Sequence, residues 1–101
     1  MHKLTKACAI PPKVKRIVEE RDNGWCVLCG LPGKPEAHFI AKSRHGLGIP
    51  ENIITLCRPC HDQYDFHDFD GTIERRLREY LEEYYPGFPD DQRIYNKWRS
   101  R

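Results

Sequence analysis

The chain has 101 residues, of which 39% are hydrophobic and 32% charged, with a formal net charge of +2. That length suits one small domain, read here as residues 1–101. No apolar run approaches the roughly 18 residues of a membrane span, and "MHKLTKACAIPPK" lacks the apolar centre of a secretory signal. The five cysteines are therefore expected to meet a reducing cytoplasm, where thiolate ligands are favoured over disulfides.

The charge is unevenly spread. Residues 1–18 carry five Lys/Arg and no acid, and residues 93–101 carry four (Arg93, Lys97, Arg99, Arg101) and no acid. Eight of the 17 basic residues are left in the middle with all 15 acids. Basic flanks fit a polyanion ligand; ordinary solvated termini fit equally well.

Residues 1–10 read as loose. A short helix is expected over about 12–22, with Pro12 in its first turn, Val14, Ile17 and Val18 as its apolar stripe, and Asn23-Gly24 as its stop. "WCVLCG" is a metal knuckle and "LPGKPE" a loop. "EAHFIAK" reads as a strand, "SRHGLGIPEN" as a long loop, and "IITL" as a second, β-branched strand. A helix then starts near Pro59 and runs to between Asp68 and Gly71. The clearest amphipathic helix spans about 72–85, with Ile73, Leu77, Tyr80, Leu81 and Tyr84 recurring at three and four, and with Thr72 or Asp70 as its cap. A last short helix is expected over about 90–99, with acids early and basic residues late.

The chemistry concentrates in two overlapping sets. Cys26, Cys29, Cys57 and Cys60 form two Cys-x-x-Cys pairs, the donor set of a structural Zn²⁺. The 27 residues between the pairs exceed the usual 15–20 of a compact ribbon, so the hairpin must fill the gap. The alternatives are a redox dithiol, or one pair packed as core. Cys8 reads as a plain buried or free thiol.

His61 directly follows Cys60. On a helix, neighbours point about 100° apart while i and i+4 share a face. With Cys60 toward zinc, His61 and Asp65 face elsewhere together, as half of a divalent-ion site or as a polar exposed face. His38 sits in the apolar "AHFIA", where a histidine is usually structural. Asn52 precedes "IITL", where an asparagine usually serves a turn.

Taken in order, His38, Asn52 and His61 are separated by 13 and 8 residues and bracketed by the cysteine pairs. "CVLCG", "AHFIAKSRHGLG" and "PENIITLCRPCH", with the helix that follows to about Phe69, strongly resemble the His-Asn-His (HNH) endonuclease family in its zinc-bound, phage-like branch. The resemblance covers about residues 25–69. It implies an α+β fold: a ββα-metal core carrying a four-Cys zinc site, with flanking helices. It also implies a DNA endonuclease that hydrolyses phosphodiesters with one Mg²⁺, Mn²⁺ or similar ion. By that resemblance His38 is the general base, Asn52 aims it by tethering the loop, and His61 and Asp65 hold the ion. Lys42 and Arg44 are candidates to hold phosphates. The resemblance further suggests a bacterial host cell and a phage terminase as partner. The rival class is a non-catalytic zinc module that binds nucleic acid or protein.

One position departs from the family. Many members place Asp or His just before the base as a further ligand, and here that residue is Ala37. Glu36 points to the opposite strand face from Ala37 and is not expected to substitute. The spacing of His67 from His61 also fits poorly. The ion is then left with His61 and Asp65 alone.

Overall fold

The computed structural model describes residues 3–96. Six elements organise them: α1 (Lys3–Cys8), α2 (Pro12–Asp22), β1 (Lys34–His38), β2 (Ile53–Leu56), α3 (Arg58–His67) and α4 (Thr72–Tyr84). Strands β1 and β2 pair antiparallel, with Ala37 opposite Ile54 and His38 opposite Ile53, and with a register irregularity between Lys34 and Ala37. With α3 following directly, this is a ββα core in a small α+β domain flanked by helices. No helix among the described residues is long and apolar enough to cross a membrane.

Helix α2 starts at Pro12, whose fixed φ suits a first turn, and ends at Asn23 in the left-handed region (φ 58°). Its Val14 and Val18 pack on Ile53. Both faces of β2 are covered, so all four of its residues are buried. On the other side Leu77 and Leu81 of α4, each 0% exposed, meet Ala37, Phe39, Ile54 and Leu56. Burying a side chain of that size contributes about 1.5–3 kcal/mol. Two of the zinc-set thiols, Cys26 and Cys57, belong to this same core cluster.

The three layers are fastened by a buried ion pair. Arg21 grips Asp22 with two hydrogen bonds (2.7 and 2.9 Å) and donates to the carbonyls of Pro50 (2.9 Å) and Ile53 (2.8 Å). Asp22 in turn accepts from the Thr55 amide (3.0 Å) and from the Tyr80 hydroxyl. Burial opposes ionisation of Asp22, but Arg21 and Tyr80 outweigh it and hold the carboxyl below its usual range. One pair thus links α2, β2 and α4.

Several expectations are corrected. Of the segment 1–10 expected to be loose, Lys3–Cys8 is helical and is held to the long loop, and residues 1–2 lie outside the described residues. Gly48 donates to the Ala7 carbonyl (3.1 Å), and a Cβ at Gly48 would lie 1.9 Å from the Ala9 oxygen, so only glycine admits this approach. The first strand ends at His38, since Asn52 takes the polar groups of Ile40 that a longer ladder would use. Helix α4 is capped mainly by Asp68, which accepts from the amides of Ile73 and Glu74 (both 2.9 Å), with Asp70 accepting from Thr72.

The helix expected over 90–99 is a single 3-10 turn at Asp90–Gln92, after which Ile94 bridges to Gly46. Residues 97–99 of that expected helix lie outside the described residues. Arg93 explains the break. It is 2% exposed and donates to the carbonyls of Glu51 (2.7 Å) and Phe88 (3.1 Å) and to Asp90 (2.8 Å). It therefore locks the loop before β2 and is not a surface cation awaiting a polyanion.

Candidate active site

The first cysteine pair sits on a tight knuckle. Gly30 takes φ +79°, its amide reaches the Cys26 carbonyl (2.9 Å), and a bridge between Trp25 and Pro32 closes the turn. The Val27 amide donates to the Thr55 carbonyl (3.0 Å), which docks the knuckle on β2. The second pair straddles the start of α3, with Cys57 as its N-cap residue and Cys60 in its first turn.

All four sulfurs lie within 4.8 Å of one another, the one such group of potential ligands among the described residues. Cys29 and Cys57 approach to 3.5 Å. Bond lengths of about 2.3 Å in a tetrahedron put ligand sulfurs about 3.8 Å apart, so the cluster has the dimensions of a zinc site. Its acid–base behaviour agrees. Burial opposes ionisation of Cys26, yet backbone hydrogen bonds from Cys57, Cys29 and Leu28 bring it down to about 7. Burial and the neighbouring thiols push Cys60 well up. Four adjacent thiols cannot all ionise unaided, and a divalent cation is what removes that conflict.

A cavity of about 580 Å³ reaches α3 at His61 and Asp65 and is lined among others by Lys15, Glu36, His38 and Lys42. It joins β1, the inter-strand loop, α2 and α3. His61 and Asp65 lie one turn apart, with Nε2 to Oδ2 at 3.2 Å. The Tyr64 hydroxyl donates to the Phe39 carbonyl (2.5 Å) and ties α3 to the end of β1.

The Nε2 of His38 lies 2.8 Å from the Cys8 carbonyl oxygen. A carbonyl only accepts, so Nε2 carries the proton and neutral His38 keeps its lone pair on Nδ1. Burial lowers the pKa of His38, and Lys42 and His61 act the same way; the Cys8 hydrogen bond and Asp65 offset only part. The ring is therefore neutral at physiological pH.

Asn52 is wholly buried. Its Oδ1 accepts from the Ile40 amide (2.8 Å), and its Nδ2 donates to the carbonyls of Ile40 (3.2 Å) and Leu47 (2.9 Å). Its own carbonyl accepts from Phe39 (2.7 Å). It closes the long loop immediately after His38. Lys42 and Arg44 are both exposed on one 3-10 turn of that loop, and Lys42 borders the cavity.

Residues 26–66 match the family model of the HNH endonuclease. The match takes in the first knuckle, both strands, the long loop and most of α3. It suggests nuclease activity, with DNA as substrate. No curated protein matches the chain.

Three contributors escape a reading by motif. The Cys8 carbonyl belongs to a segment outside the HNH match. Lys15 reaches the cavity from α2, also outside it. Glu36 lies inside the match, and period-two alternation with His38 is the signal that marks it. Its place corrects the expectation at Ala37. Ala37 is 1% exposed and packs into the core, so it is the residue turned from the cavity; Glu36 and His38 share the other strand face and line it.

Proposed function

We propose that the protein is a metal-dependent DNA endonuclease that hydrolyses phosphodiester bonds by a one-metal mechanism, with His38 as general base. The observation that carries this reading is the shared cavity, in which a neutral histidine of fixed tautomer faces an imidazole–carboxylate pair. His38 accepts a proton at Nδ1 from the attacking water, and the Cys8 carbonyl keeps Nε2–H oriented as the ring becomes charged. Asn52 acts through His38: by closing the loop it fixes the end of β1 without touching substrate.

His61 and Asp65 fit a hard divalent ion such as Mg²⁺ or Mn²⁺, offering one nitrogen and one carboxylate and leaving positions for water and phosphate. When bound, such an ion supplies Lewis-acid stabilisation of charge at phosphorus and at the leaving 3′ oxygen. Lys42 and Lys15 at the cavity, with Arg44 nearby, suit contacts to neighbouring phosphates. The four-Cys zinc would be structural, holding the start of α3 and so the position of His61. A phage or prophage origin, a bacterial cytoplasm and work beside a terminase belong to this proposal on family resemblance alone.

Plasmid nicking with Mg²⁺ or Mn²⁺ tests the reading. Wild type should cut, His38→Ala should lose about 10²–10⁴-fold as expected for removal of a general base, and both should retain zinc. If wild type and His38→Ala are equally inert with every divalent ion, the domain is a zinc-stabilised binding module instead.

A further inference from the structure

The cavity holds one acid that neither the family motif nor the spacing of its histidines assigns. Glu36 lies two residues before His38 on β1, so both side chains leave the same strand face. A second cavity, of about 480 Å³, lies beside the first and is bounded among others by Gly33, Cys57 and Arg58. Glu36 and His61 are the two residues that line both cavities. They therefore form the divide between them, one from the strand and one from the helix, with Asp65 a turn further along the first.

The ligand atoms of Glu36, His61 and Asp65 do not all lie within 4.8 Å of one another while Glu36 faces Lys15. We propose that Glu36, on turning from Lys15, is the third protein ligand of the catalytic divalent ion, completing with its carboxylate the site begun by His61 and Asp65. This rests on the nuclease reading above and concerns the same site. The donor set becomes one imidazole nitrogen and two carboxylates on one side of the ion, with the far side open to water and phosphate. Hard ions that keep several of their waters, Mg²⁺ and Mn²⁺, are held by such oxygen-rich partial shells.

What Glu36 does at present does not oppose this. Its one ion pair among the described residues is to Lys15 at 3.8 Å, with both side chains close to half exposed (48% and 44%). Solvent screens such a half-exposed pair, so turning the carboxylate to a dication costs little. The released Lys15 stays at the cavity edge, where a substrate phosphate would meet it. His67, the other spare donor on α3, is exposed and its ring packs against Phe69.

Mn²⁺ titration of the zinc-loaded full chain, followed by electron paramagnetic resonance without DNA, reads the site independently of cleavage. Wild type should bind one Mn²⁺ and His61→Ala should lose it. Glu36→Gln should raise Kd by about tenfold or more, at least the effect of losing a partner that merely orients a ligand. An unchanged Kd in Glu36→Gln overturns the inference while leaving the nuclease reading intact. A wild type that neither binds Mn²⁺ nor cuts with any divalent ion overturns that reading and this inference with it. Ala37→Asp provides a second measurement. It restores the family's acid in the sequence, but on the core face, so Mn²⁺ binding should not tighten; tighter binding would put the ligand face on the other side of β1 and overturn the assignment.

Discussion

Replacing Asn52 by Ala perturbs the point where the long loop is closed. The side chain makes three hydrogen bonds to backbone groups, the Ile40 amide and the carbonyls of Ile40 and Leu47, at a residue with no solvent exposure. Truncation leaves all three groups without that partner, at about 1–3 kcal/mol for each one that water does not reach. Taking the low end for each, with a small cavity added, the loss should be about 3–4 kcal/mol. That is a large share of the roughly 5–15 kcal/mol expected of a domain this size. Urea unfolding at fixed free zinc measures it, with the transition slope checked against wild type. The loop emerges directly from the strand that carries His38, so cleavage should fall even where the variant is fully folded. A loss below about 1 kcal/mol with an unchanged slope would refute the closure argument, since it would mean that the three groups find equivalent partners unaided.

Stripping the zinc should unfold the chain, because Cys26 and Cys57 belong to the main core cluster and a structural zinc supplies about 10–16 kcal/mol in small domains; an unchanged melting profile after chelation contradicts this. Gly48→Ala places a Cβ against the Ala9 oxygen, so α1 should shift, the Cys8–His38 bond should weaken and cleavage should drop about tenfold or more with zinc retained; unaltered cleavage would show that the bond is dispensable. At saturating Mn²⁺ the acid limb of kcat/KM should have its midpoint below 6.5, the ordinary value for histidine, because His38 resists protonation in the folded state. The linked stability has the matching sign: the unfolded chain binds the proton more readily, so His38 costs stability as pH falls below about 6.5. An acid limb that is the same in His38→Gln as in wild type would assign the titration to another group.

The local elements were legible where one physical signal dominated. The recurrence of Ile73, Leu77 and Leu81 at every fourth residue fits the stripe of α4 that meets the core, and Pro12 and Asn23 stand at the ends of α2 because their backbone preferences suit those ends. The run from Ile53 to Leu56 reads as a strand from its β-branched residues alone. Elements closed by side chains from afar were not legible. Arg93 looked like part of a basic tail, yet it is spent on carbonyls of Glu51 and Phe88. The helix Lys3–Cys8 carries no strong signal of its own and depends on the close approach that Gly48 permits.

The chemistry on offer is already present in the order of residues: four thiols in two pairs, an imidazole one helical turn from a carboxylate, and a histidine and an asparagine at set distances upstream. Residue identity and short-range geometry suffice for that, because helix and strand periods place neighbours without reference to the rest of the chain. Which strand face meets the cavity depends on long-range packing. Alternation says that Glu36 and Ala37 point apart, but it does not say which points inward. Helix α4 decides that by covering the face of Ala37, which leaves Glu36 and His38 with His61. The partner of His38 Nε2 is likewise a backbone carbonyl thirty residues away, a group every residue carries and which acquires a role only where folding brings it.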